Sequence, residues 1–307
     1  MIDYVSAIHS SKSYKMLEKD VENGKLSHSY MLIDKDKETI RAYIKEFSKL
    51  IYTYQKREEE KRQIEIIIEN NNHTNITTID SDSIIKVDDI KELIEDTYLT
   101  SFTGGLKLYV IVSGERMNEA SQNKLLKTLE EPNKNVCILL ATTNENAMLQ
   151  TIKSRCKKIY LNVWNKENIR SELQKATTDN ELVDIATRFS GDNISRAFNI
   201  IVDEDFKEKF HNVEKVLYEY KGSSNIIDFL NIFGVEKAEV ISHLEIFEGI
   251  IFALLKEKKQ GYNNAILVNI YEQIIDTYKR LDSNCNPQNA VYNLLMQIAE
   301  IKYNLSE

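Results

Sequence analysis

The sequence predicts an α/β domain followed by an all-α region, and three observations carry that prediction. Short apolar runs alternate with amphipathic helical stretches as far as about residue 162. Beyond Trp164 only helical periodicity remains. The composition agrees: two prolines and nine glycines in 307 residues are few, while Ile, Leu, Lys, Glu and Asn abound. A chain of this length exceeds one small core. It divides into an α/β domain (1–162), a small group of helices (163–205) and a helical domain (206–307). Strands alternating with helices point to a parallel sheet covered on both faces.

Residues 10–24 read as an amphipathic helix with Gly24 as its C-cap. The run "SHSYMLID" (27–34) suits a buried strand. From Lys37 to about Tyr54, the residues Ile40, Ile44, Phe47, Leu50 and Ile51 recur at helical spacing. The stretch 55–75, "QKREEEKRQIEIIIENNNHTN", reads as a helix end and a loop, with room for an extra strand. "NITTID" (75–80) is a strand, and "VDDIKELIEDTYL" (87–99) a helix whose acidic opening suits its dipole. "GGLKLYVIVSG" (104–114) holds a buried strand, and the helix from Met117 to Glu130 is stopped by Pro132. "NVCILLATTN" (135–144) and "KKIYL" (157–161) supply the last two strands. Three short helices follow, each opening at Asn or Asp, and the remainder is helical with breaks at Gly222, Gly234 and Gly261.

A net charge of −8 argues against a protein whose whole surface binds nucleic acid; it leaves open a local basic patch or a DNA face assembled with partner subunits. No apolar run approaches the roughly 18 residues that a membrane span needs. The start "MIDYVSAIHSSKSYK" lacks the apolar core of a signal peptide, so a cytoplasmic, reduced protein without a membrane partner is expected. Cys137, Cys156 and Cys285 form neither a disulfide framework nor a C-x-x-C metal pair.

A nucleotide-hydrolysing α/β domain needs the loop G-x-x-x-x-G-K-S/T after its first strand. Its glycines let the backbone approach phosphate, its lysine meets the β/γ-phosphates and its hydroxyl holds Mg²⁺. Here that place reads Asp34, Lys35, Asp36, Lys37, Glu38, Thr39, Ile40 and Arg41. It has no glycine, Ile40 fills the lysine slot, and three acids repel phosphate. The acidic pair that should end the strand before the 117–130 helix falls on Val112 and Ser113. Glu115 is out of register and reads as an exposed residue near the helix start. No nucleotide cofactor is therefore expected on this chain. By contrast Arg155, within Ser154-Arg155-Cys156, stands at the turn into the last strand. It is either a surface residue or a finger that presents its charged fork to a γ-phosphate on a neighbouring subunit. With Lys153, Lys157 and Lys158 it also forms a basic cluster that suits DNA phosphates.

The segment "ASQNKLLKTLEEPNKNVCILLATTNENAMLQTIKSRC" resembles the clamp-loader subunits of bacterial DNA polymerase III, with the helix, Glu-Glu-Pro, sensor strand and Ser-Arg-Cys in that family's order. "LSHSYMLI", "HTNI", "IKVDDIKEL" and "FSGDNISRAFNI" extend the resemblance over residues 26–200. The resemblance implies an AAA+ α/β domain, a helical lid and a helical collar. Within that family the gamma and tau subunits keep the phosphate loop and acidic pair, whereas delta prime need not bind ATP; the losses here resemble delta prime. Carried over, Arg155 is a trans-acting arginine finger, shaped by Ser154 and Cys156, with ATP and Mg²⁺ on the neighbour. The implied partners are the gamma/tau and delta subunits, with the sliding clamp and primer-template DNA reached through the complex. Arg196 matches the lid-sensor arginine, with a salt-bridged lid residue as the plain alternative. Thr142 and Thr143 fall at the polar sensor, where strand-end capping is the plainer role without nucleotide. Lys127 is either a solvated residue or part of the intersubunit contact. Many relatives in the family it resembles carry a four-cysteine zinc insert; the matching stretch 52–72 has no cysteine, and His73 reads as a loop or core residue. A divergent ATP-binding subunit, or an AAA+-derived scaffold outside replication, is the alternative reading.

Overall fold

The computed structural model describes residues 2–99, 104–222, 225–257, 264–283 and 285–304. Contacts divide the chain into two units, residues 1–176 with 191–196, and residues 177–190 with 197–307.

The first unit opens with two helices, α1 (Tyr4–Ser10) and α2 (Lys12–Glu22), in place of the single helix expected over 10–24. Ser11 makes the break: its extended backbone ends α1, and its hydroxyl accepts from the Tyr14 N–H to cap α2. Gly24, at φ 63°, closes α2 in the left-handed conformation expected of it.

Strands β1 (Ser29–Ile33), β2 (Ile76–Asp80), β3 (Lys107–Val112), β4 (Val136–Thr142) and β5 (Lys157–Tyr160) form one sheet in the order β2-β3-β4-β1-β5. Every adjacent pair is parallel. The central strands are buried along nearly their full length, as a parallel sheet between helices requires. The edge strands β2 and β5 are more open, so covering on both faces holds for the centre only.

The crossovers are α3 (Lys37–Thr53), α5 (Val87–Thr97), α6 (Glu119–Glu130) and the short α7 (Gln150–Lys153). On one face, Leu125, Leu129, Ile90 and Leu93 pack with Met31, Ile111, Ile138 and Leu140 of the sheet, joined by Ile152 and Cys156. Elsewhere in the core Tyr30, Tyr43, Phe47 and Tyr14 are buried. Tyr30 meets Phe47, and Tyr14 meets Tyr43, edge to face, so these tyrosines serve packing.

Residues 58–69 correct the sequence reading, which placed a helix end and a loop there. They form a helix, α4 (Glu58–Glu69), with three glutamates in its first turn. Ion pairs Arg57–Glu60 and Lys61–Glu58, both three residues apart, support it, and Ile68 anchors it. The isoleucine run imitates a strand locally; the flanking charges decide for helix. His73 beyond it packs on Tyr52 at 4.1 Å and accepts from the Asn75 N–H.

Helix α8 (Lys166–Ala176) lies in the first unit, and α9 (Asn180–Phe189) and α10 (Ile194–Val202) follow in the chain. Asn165, Asp179 and Asn193 accept from the N–H groups at their starts, as the sequence implied. The helices α11 (Phe206–Tyr218), α12 (Ile226–Ile232), α13 (Lys237–Glu257), α14 (Asn264–Asp282) and α15 (Pro287–Asn304) belong to the second unit. Gly222 and Gly234 lie between helices at φ 114° and 82°; Gly261 lies outside the described residues. Lys302 of α15 donates to the carbonyls of Val216, Leu217 and Tyr220, satisfying the C-terminal end of α11 with a half-buried cation. No helix among the described residues is long and apolar enough to cross a membrane.

Candidate functional site

In an open parallel sheet, ligands bind beyond the carboxyl ends of the strands. All five strands end at this edge, and the loops that follow the three central ones are 34–36 after β1, 113–116 after β3 and 143–144 after β4.

After β1, the protein supplies its own anion. Asp36 is buried at the start of α3, where its carboxylate accepts from the N–H groups of Glu38 and Thr39 at 3.4 and 3.3 Å and from the Thr39 hydroxyl at 2.6 Å. Those N–H groups are the ones a phosphate would use at a helix N-terminus. The buried Trp164 indole N–H donates to the same Thr39 hydroxyl at 2.9 Å. Asn193 donates its side-chain amide to the Lys35 carbonyl. Asp34 accepts from the Asp36 N–H at 3.0 Å, and burial, aided by the neighbouring Asp36 charge, pushes its carboxyl up to about 6. Ile40, in the lysine slot, is buried, and Arg41 is tied to Asp80 and Glu38. Lys37, the nearest lysine in sequence to that slot, is paired with Asp80 and Asp82.

After β3, Val112 and Ser113 occupy the acidic slots, both buried. Ser113 lies at φ 58°, an uncommon conformation for a residue with a side chain, and turns the chain into a short 3₁₀ helix, Gly114–Arg116. Glu115 departs from the sequence reading of an exposed residue. It is half-buried, and its carboxylate accepts from the Thr142 hydroxyl at 2.7 Å, the Thr143 hydroxyl at 2.8 Å and the Thr143 N–H at 3.2 Å. Thr142 and Thr143 thus spend their hydroxyl protons inside the chain. Glu115→Ala is expected to cost about 1–2 kcal/mol, because it strips acceptors from two hydroxyls and an N–H at the end of a buried strand. Thermal melts of the isolated chain check it.

Arg155 sits at the other end of the sheet. It precedes β5, and its carbonyl accepts from the hydroxyl of Ser29, the first residue of β1, at 2.8 Å. Asp34 follows the last residue of β1, so about 16 Å of strand separate the two positions. The turn is fixed from below: Ile152 and Cys156 are buried, and burial pushes the Cys156 thiol up to about 11. Ser154 caps the end of α7 by donating to the Thr151 carbonyl. The Arg155 guanidinium donates to the Thr151 carbonyl at 2.9 Å and to Glu130 at 2.5 Å, and its side chain is 33 % exposed. The other lysines of the basic cluster are engaged locally. Lys158 pairs with Glu145 at 2.8 Å, Lys157 pairs with Asp20, and Lys153 reaches the Glu145 carbonyl. Lys127 is exposed on α6. Arg196 is exposed, and its N–H is bonded to Asn193.

The structure therefore brings the degenerate loop (Asp34, Thr39, Ile40, Arg41) and Trp164 together, and Glu115 with Thr142 and Thr143. It holds Arg155 apart from both. Sequence reasoning missed Asp36 as a helix cap and Trp164 as its neighbour. An Asp three residues before Thr39 at a helix start was the available signal for the first; nothing local pointed to the second. No cluster of His, Cys, Asp and Glu suited to a metal occurs among the described residues.

The model of the family described as DNA polymerase III, delta subunit, matches residues 9–165, half of the chain. The chain belongs to this family. It is 24% identical to DNA polymerase III subunit delta' of Bacillus subtilis over 263 residues, covering 76% of this chain and 78% of that protein. It is 36% identical to DNA polymerase III subunit tau of Escherichia coli over 107 residues, which are 35% of this chain and 17% of that protein. The chain thus spans most of the delta' relative but only a small part of tau. In structure it resembles a DNA polymerase III gamma subunit-related protein of Thermotoga maritima, with TM-score 0.50 and 19% identity over 94% of this chain and 99% of that one. The fold is the AAA+ sheet domain with a helical C-terminal part, and the chain is a delta-prime-like subunit of the clamp-loader type.

Proposed function

We propose that this chain is a non-catalytic, delta-prime-like subunit of a DNA polymerase III clamp loader. It lends Arg155 as a trans-acting finger to the ATP site of a neighbouring gamma/tau-type subunit while the sliding clamp is loaded onto primed DNA. The observation that carries the proposal is the placement of Arg155 at the opposite end of β1 from the chain's own phosphate-loop position. An arginine side chain does not bridge about 16 Å, so this guanidinium has no nucleotide of its own to serve. The Asp36 carboxylate on the N-terminus of α3 supports the same reading, since it satisfies the donors that phosphate would need. ATP and Mg²⁺ then belong to the neighbour, and delta, the clamp and DNA are met through the assembled complex.

Titration of the isolated chain with Mg-ATP tests the non-catalytic half. No saturable binding is expected up to millimolar nucleotide, and micromolar affinity would make the chain a divergent ATP-binding subunit instead.

A further inference from the structure

We propose that Glu130, the first acid of the Glu-Glu-Pro sequence, is a positioning residue for Arg155. The inference rests on the trans-acting role proposed above for Arg155. Glu130 ends α6, and Pro132 forbids a further turn, so the carboxylate sits at a fixed stop rather than partway along a helix. The preceding Leu129 is buried in the same apolar cluster as Ile152 and Cys156, the residues that anchor the Arg155 turn. Both members of the pair therefore stand on elements held by the same apolar cluster.

The guanidinium is gripped through two different nitrogens. Nη1 donates to the Thr151 carbonyl at 2.9 Å and to the Ser154 hydroxyl at 3.4 Å, and Nη2 donates to Glu130 Oε1 at 2.5 Å. Two fixed acceptors on different nitrogens define the plane of a rigid fork. Guanidinium carries five N–H donors. Three are used within the chain, which leaves two for an external phosphoryl oxygen without breaking the Glu130 contact. Had the carboxylate taken the whole fork, it would compete with phosphate; taking one donor, it orients the group in advance of binding.

The test is a double-mutant cycle in the assembled complex, using E130A, E130Q, R155A and the pair E130A with R155A. DNA-stimulated ATP hydrolysis is followed in single turnover. At the site that R155A silences, E130A is expected to slow hydrolysis about two- to fivefold, the range that loss of an exposed ion pair supports. E130Q, which keeps an oxygen acceptor at the same reach, is expected to be slowed less. The ATP concentration for half-saturation stays unchanged. The double variant is expected to be no slower than R155A, because Glu130 acts through Arg155. Hydrolysis by E130A that is unchanged or faster, with R155A impaired, overturns the positioning role alone. A double variant slower than R155A also overturns it, as a purely structural effect. Wild-type hydrolysis by R155A overturns the finger and this inference together. In the isolated chain, NMR of the Arg155 side-chain nitrogens should show restricted rotation that E130A releases; equal mobility in both proteins counts against the pair.

Discussion

Arg155→Ala is expected to leave the isolated chain folded and to lower ATP hydrolysis at the adjoining site of the assembled complex by about 10³-fold or more. The fold tolerates the change because the side chain contributes little to it. Its ion pair with Glu130 is partly exposed, worth about 0.2–1 kcal/mol. The contacts that fix the turn survive truncation: Ile152 and Cys156 remain buried, and the Ser29 hydroxyl bonds to the Arg155 carbonyl, which alanine also has. In the role proposed for Arg155, what is lost is a planar cation that neutralises charge developing on the transferred phosphoryl group. Any other ATP sites of the complex are untouched by this substitution, so total turnover falls only to what they sustain. Single-turnover hydrolysis is the sharper measurement, and a full burst from the variant complex would remove Arg155 from the mechanism.

Asp34→Asn is expected to stabilise the isolated chain at pH 7 by about 2 kcal/mol and to change nothing near pH 4. Burial raises the Asp34 carboxyl from 3.8 to about 6, so the folded state binds a proton more readily than the unfolded chain. Its contribution to stability is therefore fully present below about pH 4 and is lost as pH rises through 6. A shift of this size corresponds to about 3 kcal/mol, reduced to about 2 because the residue is only half-buried. Asparagine keeps the oxygen that accepts from the Asp36 N–H while removing the charge. Denaturant melts from pH 4 to 7 check this. The wild-type chain should lose stability relative to the variant across that window; parallel curves would mean that Asp34 titrates normally. Two neighbouring carboxylates in this loop also disfavour a triphosphate there, in keeping with the proposed function.

Much of the fold was legible because burial leaves a local trace. The five strands and the crossover helices stand close to where the apolar period placed them, and Gly24 and Pro132 mark helix ends as their backbone preferences require. The two departures have separate causes. Ser11 splits the first helical region because a hydroxyl cap outweighed an unbroken amphipathic pattern. Residues 58–69 are helical because charged pairs three residues apart outweighed a run of isoleucines.

The sequence by itself determined three things about this protein: a parallel α/β domain followed by helices, a phosphate-loop position without glycine or lysine, and an arginine at the turn into the last strand. Each is a matter of residue type and period along the chain. Only the tertiary structure decided what faces what. It set Trp164 on Thr39 across 125 residues, Glu115 on Thr142 and Thr143, and Glu130 on Arg155. It also put Arg155 and Asp34 at opposite ends of one strand. Hydrogen bonds and ion pairs form where the sheet order brings polar groups together, and that order follows from burying the whole apolar core, which no local stretch of sequence records.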